Sequence, residues 1–209
     1  MADGVLALAA VVVGYLLGTI PSAVIVTRLA TRGRVDIRAS GSGNPGGFNT
    51  IRSVGKVWGA VVILLDGGKA VLAALLGWLL AGDAGAYLGA TAAIVGHVAP
   101  VWTGFRGGGK GVAAAGGAIL AVFPVFFPVE CVVLLVTALV VRKSEPAMLV
   151  GMAALVVASV LWAVCDWPHA WGPPPTGGLV AFAAVAAGLV VVKFRLAARD
   201  SGGTSPDPV

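Results

Sequence analysis

The stretch "MADGVLALAAVVVGYLLG", Met1 to Gly18, sets the pattern for the whole chain: the acid Asp3 is followed by a long apolar run that contains no Lys or Arg. A cleaved secretory signal normally carries a basic leader before its apolar segment, so this run is predicted to be a retained membrane span. Similar runs recur along the 209 residues, which are 58% hydrophobic and only 11% charged, with a mean hydropathy of +0.98. Such values are typical of integral membrane proteins and argue against soluble globular classes.

The apolar runs predict an all-α, polytopic membrane bundle of about seven transmembrane helices. A helix needs about 20 apolar residues to cross the hydrocarbon core. The predicted spans are 5–27, 57–80, 84–103, 111–126, 129–141, 147–165 and 178–195. The fourth and fifth are short and are separated by "FPVFFP", so a broken or re-entrant pair is the alternative to two full crossings.

Positive charges cluster between alternate predicted spans. Short cytoplasmic loops carry an excess of Lys and Arg, so the pattern predicts an N-terminus outside and a C-terminus in the cytoplasm. The clustered cations are Arg28, Arg32, Arg34, Arg38, Arg52, Lys56, Arg106, Lys110, Arg142, Lys143, Lys193, Arg195 and Arg199. We expect one membrane domain over residues 1–199 and a disordered polar tail at 200–209.

A first polar island, "GSGNPGGFNTIRSVGK" from Gly41 to Lys56, interrupts the apolar background on the predicted cytoplasmic side. Glycines let successive backbone N–H groups converge into concave nests that hold phosphate or carboxylate oxygens. The side chains that would add donors around such an anion are Ser42, Asn44, Asn49 and Arg52. The alternative is a flexible, solvated loop.

A second island, "FRGGGKGVAAAGG" from Phe105 to Gly117, leads directly into an apolar helix. A glycine-rich approach to a helix N-terminus favours anion binding, because unpaired N–H groups and the helix dipole both face the ligand. The candidate residues are Gly107, Gly108, Gly109, Lys110 and Gly111. Gly111 stands where a nucleotide-binding P-loop has Ser or Thr, and a membrane helix replaces the preceding strand, so no nucleotide site is expected. The later glycines, Gly116 and Gly117, are attributed to close helix packing.

Three ionisable side chains lie in or near predicted spans. Asp66 and Lys69, in "LLDGGKAVL", are three residues apart on one helical face at bilayer depth, where charges are costly and normally paired. A structural ion pair and a role at a substrate site remain equal alternatives for them. His97, in "GHVAP", is a candidate catalyst, with a structural hydrogen-bonding role as the alternative.

The remaining composition points to no other ligand class. Cys131 and Cys165 lie in apolar segments without a paired Cys or His at metal-ligand spacing, so neither a metal site nor a disulfide framework is expected. The net charge of +5 is explained by an anionic inner leaflet and anionic substrates. We therefore expect no metal, no cofactor and no nucleic acid partner.

Five segments, in this order, resemble motifs of the bacterial membrane glycerol-3-phosphate acyltransferases that use acyl phosphate, the PlsY family. They are "YLLGTIPSAVI" at 15–25, "VDIRASGSGNPGGFNTIRSVGK" at 35–56, "ILLDGGKA" at 63–70, "GHVAPV" at 96–101 and "FRGGGKGVA" at 105–113. The resemblance covers roughly the first 115 residues, and several ordered motifs are far more specific than one glycine-rich match. The family's usual third motif, a His-Arg-x-Asn-Ile-like run after the last span, is absent; the chain there reads "VVVKFRLAARDSGG".

The resemblance implies a membrane acyltransferase that moves a fatty acyl group from acyl phosphate to the 1-hydroxyl of glycerol 3-phosphate, giving lysophosphatidic acid for phospholipid synthesis. Its expected partners are these two substrates and membrane lipid, and its expected location is a bacterial cytoplasmic membrane with the active site facing the cytoplasm. The catalytic candidates are then Ser42, Arg52, His97 and Lys110. The substrate-binding candidates are Gly43, Asn44, Gly46, Asn49, Asp66, Lys69, Gly107, Gly108, Gly109 and Gly111.

Two other function classes remain open from the sequence. Because the third motif is absent, the chain is alternatively a catalytically degraded relative that still binds an anionic lipid precursor. Because Asp66 and Lys69 lie at bilayer depth, it is alternatively a small transporter of a phosphorylated solute. Both glycine islands fall on one predicted side of the membrane, with no matching polar island opposite, which counts against transport.

Overall fold

The structure, a computed structural model, describes residues 2–200. Within that range the regular elements are helices, so the all-α prediction is confirmed. The helices are α1 (Ala2–Gly18), α2 (Ser22–Ala30), α3 (Gly47–Ser53), α4 (Lys56–Val98), α5 (Val112–Val122), α6 (Phe127–Val141), α7 (Ser144–Cys165) and α8 (Gly177–Asp200). The predicted polar tail falls outside the described residues, apart from Asp200, which ends α8.

The first predicted span, 5–27, is not one continuous helix. Helix α1 ends at Gly18 and α2 begins at Ser22, so residues 19–21 form a break. Pro21 precedes α2 and has no N–H to continue the helical ladder. Hydropathy alone hid this break, because the residues on both sides of it are apolar.

Helix α4 contains the second and third predicted spans as two halves of a helical hairpin. Ala81 and Gly82 have non-helical backbone angles, and Gly82 has φ +58°. A Cβ at Gly77 would overlap the backbone of Gly85, so the two halves pack with their backbones in close contact. The second half ends at Val98, short of the predicted 103, where Pro100 stops the helix.

Small residues also hold the neighbouring helices against α4. A Cβ at Gly18 would overlap the carbonyl of Ala93, so α1 lies directly on the second half of α4. A Cβ at Gly117 would overlap Gly67, so α5 lies on the first half. Close backbone contacts of this kind are typical of helix packing in membranes, and they confirm the packing role predicted for Gly117.

The fourth and fifth predicted spans are two separate short helices, α5 and α6, joined around "FPVFFP". The indole N–H of Trp171, in the loop between α7 and α8, donates to Leu120 O at 3.1 Å near the end of α5. Helix α5 therefore ends on the opposite side of the bundle from residues 31–55 and 99–111. We call the side that carries those two segments the loop end.

Among the described residues, four helical stretches are long and apolar enough to cross a membrane: Ala2–Ala30, Lys56–Thr103, Ser144–Cys165 and Gly177–Arg199. Large apolar side chains on the outer faces are exposed, including Leu64 and Leu139, as lipid-facing surfaces require. The interior is built from residues such as Phe123, Leu155 and Phe182. The protein is thus a multi-pass membrane bundle whose two glycine-rich segments share one end.

Candidate functional site

The first glycine-rich loop is held in shape by the buried side chain of Asn49, which is only 3% exposed. Its Nδ2 donates to Ile37 O at 3.1 Å and to Ser40 O at 2.9 Å. Its Oδ1 accepts from the backbone N–H of Ser42 at 3.1 Å. Both amide hydrogens are therefore used inside the loop, so in this structure Asn49 holds the loop in shape.

Glycines in this loop occupy conformations that other residues avoid. Gly41 has φ +57° and Gly43 has φ +69°, in the left-handed region that favours glycine. A Cβ at Gly41 would also overlap Asn49 Oδ1. The side chains of Ser42 and Arg52 are exposed at the loop end, in positions open to a ligand from solution.

The second glycine-rich loop is pressed against the end of α4. A Cβ at Gly108 would overlap the carbonyl oxygens of His97 and Val98, and one at Gly109 would overlap the His97 ring. The N–H of Gly109 donates to His97 O at 3.1 Å. These positions are glycine because the loop must approach the helix without a side chain, so the glycines serve loop packing as well as any anion nest.

Lys110 in this loop faces the last helix. Its Nζ lies 4.6 Å from the centre of the Phe194 ring on α8, within the range of a cation–π interaction. Gly111, which has φ +88°, lies beside Val190 of the same helix. No sequence motif indicates this contact, because Phe194 falls in the segment that lacks the usual third motif.

A buried polar cluster lies behind the second loop. Asp66, Lys69 and His97 are 1%, 8% and 9% exposed. Lys69 Nζ is 2.9 Å from Asp66 Oδ1, 3.0 Å from His97 Nδ1, and donates to Ile20 O at 2.8 Å. The Asp66 contact is an ion pair rather than a well-directed hydrogen bond. The break between α1 and α2 thus gives Lys69 a backbone acceptor, and the predicted ion pair includes a histidine.

Both loops and the buried cluster meet at one narrow cleft at the loop end. It is lined by Gly18, Thr19, Ile20, Pro21, Ser22, Arg38, Pro45, Asp66, His97, Pro100, Gly107, Gly108 and Gly109. Of the predicted site residues, the cleft collects Asp66, His97 and Gly107 to Gly109. It also includes Arg38 and Ser22, which the sequence analysis did not single out although both lie inside the quoted motifs.

An apolar groove adjoins the cleft, between α1, α2 and the first half of α4. Its walls are Leu17, Ile20, Ser22, Ile25, Leu64, Leu65, Gly68, Lys69 and Leu72. Ile20 and Ser22 line both spaces. The polar cleft and the apolar groove are therefore joined at the break between α1 and α2.

The model of the family described as glycerol-3-phosphate acyltransferase matches residues 8–200. The chain belongs to this family. Membership of the glycerol-3-phosphate acyltransferase family confirms the prediction from the five motifs, and the match extends well past the first 115 residues that those motifs covered. The segment without the usual third motif thus still lies within the family match.

Relatives and solved structures agree with this assignment. The glycerol-3-phosphate acyltransferase of Rhizobium etli is 41% identical over 156 residues, 75% of this chain and 74% of the relative. That of an Anaeromyxobacter species is 40% identical over 200 residues, 93% of this chain and 92% of the relative. Crystal structures of PlsY (YgiH), an integral membrane glycerol 3-phosphate acyltransferase, are 31% identical, covering 96% of this chain and 94% of theirs. The TM-scores are 0.73 for its glycerol 3-phosphate form and 0.76 for its lysophosphatidic acid form.

Proposed function

We propose that this protein transfers a fatty acyl group from acyl phosphate to the 1-hydroxyl of glycerol 3-phosphate, giving lysophosphatidic acid and phosphate. The observation that carries the proposal is the junction of the polar cleft with the apolar groove at residues 20–22. Both substrates bear a phosphate, and one also bears a long apolar chain. A recess lined by glycine backbone and Arg38, beside an apolar groove, fits that pair.

The two halves of the site have separate tasks. Arg38, with the loop around Gly107 to Gly109, lines the cleft and binds phosphate oxygens by charge and backbone donors. Arg52 and Lys110 lie at the loop end beyond the cleft wall and attract the anionic substrates. The groove receives the acyl chain, so its walls orient the carbonyl carbon toward the cleft. This alignment of two reactants, together with stabilisation of the developing oxyanion, supplies most of the acceleration.

The acyl transfer needs no reactant besides acyl phosphate and glycerol 3-phosphate. The acceptor hydroxyl oxygen bonds to the acyl carbonyl carbon, and the bond from that carbon to the phosphate oxygen breaks. The phosphate leaves with the bonding electron pair, and the hydroxyl proton passes to a phosphate oxygen. Preorganised donors in the cleft stabilise the negative charge that develops on the carbonyl oxygen.

The loop end faces the cytoplasm of a bacterial cytoplasmic membrane in this proposal. The cations of both glycine-rich segments lie there, as the positive-inside rule requires. Soluble glycerol 3-phosphate then enters the cleft from the cytoplasm, while the acyl chain enters the groove from the lipid.

The test is acyl transfer by the purified protein in detergent, with palmitoyl phosphate and labelled glycerol 3-phosphate, monitoring lysophosphatidic acid and released phosphate. Arg38→Ala should lower kcat/KM by roughly 10- to 100-fold, because a charged hydrogen bond contributes about 1.5–3 kcal/mol. The matched control is Arg34→Ala, since Arg34 is an exposed arginine of the same loop whose Nε donates to Thr31 O.

Other results would favour the alternative functions. Binding of both substrates by folded protein without product would indicate a degraded relative. Uptake of labelled glycerol 3-phosphate into proteoliposomes without acylation would indicate a transporter. Equal activity in Arg38→Ala and Arg34→Ala would show that this cleft is not the phosphate site.

A further inference from the structure

We infer that His97 serves the cleft as a neutral hydrogen-bond donor through Nε2–H, and that Lys69 fixes this tautomer by donating to Nδ1. The inference rests on the proposed function for its catalytic meaning, although the tautomer itself is a property of the resting protein. It assigns His97 the part of an oxyanion donor rather than a general base, and it makes Lys69 a positioning residue.

The first step is the set of acceptors around Lys69. Its Nζ is 2.8 Å from Ile20 O, 2.9 Å from Asp66 Oδ1 and 3.0 Å from His97 Nδ1. A lysine ammonium has three hydrogens and no lone pair, so its three neighbours must all be acceptors. The carboxylate and the carbonyl oxygen both stabilise the charged ammonium, and Nδ1 therefore presents its lone pair to Lys69.

The competing arrangement is a hydrogen bond from Nδ1–H to Asp66. That arrangement would leave Nε2 as an acceptor and make Asp66 and His97 a carboxylate–histidine pair of the kind that works as a general base. The Nδ1 to Oδ1 distance is 3.4 Å, longer than the 3.0 Å to Lys69. A hydrogen on Nδ1 would also approach the ammonium hydrogens, so the geometry favours the donor tautomer.

The second step is the position of the other ring nitrogen. A Cβ built on Gly109 would overlap His97 Nε2, so this nitrogen lies directly against a glycine of the cleft wall. The N–H of Gly109 is already committed to His97 O. His97 and Gly109 both line the cleft, so we assign the donor at this point to Nε2–H, in place of the backbone N–H that a glycine nest would supply.

A donor here acts on substrate oxygen. Nε2–H binds an oxyanion in the cleft, either a phosphate oxygen or the carbonyl oxygen as it gains charge, and it remains protonated throughout. Removal of one preorganised oxyanion donor typically costs about 10²- to 10³-fold in kcat. The proton of the acceptor hydroxyl passes to phosphate, as in the proposed transfer, and not to His97.

The direct experiment is ¹⁵N NMR of histidine-labelled protein in detergent, without substrate. The chain has two histidines, so a His169→Gln background leaves His97 as the single labelled ring. We expect a proton on Nε2 and none on Nδ1, and we expect Lys69→Met to abolish that preference. A proton on Nδ1, or a doubly protonated ring, would overturn the inference whether or not the protein transfers acyl groups.

The kinetic experiment compares amide replacements of His97. Gln places an amide N–H near the position of Nε2 and cannot act as a base, so His97→Gln should keep kcat within roughly tenfold, whereas His97→Ala should lose about 10²- to 10³-fold. His97→Asn is the matched control, because its shorter amide lies near Nδ1 and should be as slow as the alanine variant. If folded His97→Gln were as slow as His97→Ala, the ring would be a base and the inference would be wrong.

Discussion

Single residues in this protein divide into those that bind ligand and those that hold the binders in place. Asn49 belongs to the second group, because its amide joins Ile37, Ser40 and Ser42. The sequence predicted a polar loop with an asparagine in it, but composition does not reveal which partner an amide selects. The same limit applies to Lys69, whose ion pair with Asp66 was one of two equal alternatives and whose contact with His97 was not predicted.

Replacement of Asn49 by Asp should loosen the first loop. Asp offers no amide hydrogens, so the carbonyl oxygens of Ile37 and Ser40 lose their donor, at a cost of about 1–3 kcal/mol for each buried group left unsatisfied. Limited proteolysis should then cut within 31–55 faster than in the parent. Asn44→Asp is the control, because it adds the same charge to the loop from a half-buried position. Equal cleavage of both variants would show that the hydrogen bonds of Asn49 do not hold the loop in shape.

Among the elements, α8 carries the least expected role. Its Phe194 ring faces the ammonium of Lys110, and its Val190 lies beside Gly111, so the last helix supports the second glycine-rich loop. The sequence predicted the helix from its apolar run, yet a pairing between loop and helix so distant in the chain has no local signature. The break between α1 and α2 does have a local signal, Pro21. It was missed because the residues on both sides are apolar and resemble one continuous span.

The Phe194 contact predicts a graded series of variants. Phe194→Leu keeps apolar volume and removes the ring, so kcat/KM should fall by roughly two- to thirtyfold, the equivalent of about 0.5–2 kcal/mol for a cation–π interaction. Phe194→Trp should restore activity, and Phe194→Leu should have no added effect in a Lys110→Met background. Phe182→Leu changes a buried phenylalanine of the same helix near Tyr87. An equal loss in that control would mean that α8 packing, and not the ring over Lys110, sets the rate.

At the scale of the whole molecule, the polar cleft and the apolar groove meet at the break between α1 and α2. The cleft opens at the loop end among glycine-rich segments, and the groove runs along α4 among leucines, with Ile20 and Ser22 common to both. Periodicity and hydropathy were sufficient to predict the bundle and the two polar islands. They could not predict the junction, because it depends on a helix break in α1–α2 lying against one particular face of α4.

The groove makes a prediction about acyl-chain length. Gly68 lines it, and a Cβ at this position would meet no atom within 4 Å, so Gly68→Phe should fold normally and fill the channel with its ring. We expect kcat/KM for palmitoyl phosphate to fall by at least tenfold, the equivalent of about two buried methylenes displaced at about 0.8 kcal/mol each, and that for a short acyl phosphate such as butyryl phosphate to change little. Gly188→Phe is the matched control, because Gly188 is an exposed glycine of α8 with equally open space around it. An equal loss for long and short donors would place the acyl chain outside this groove, since a blocked channel must discriminate by length.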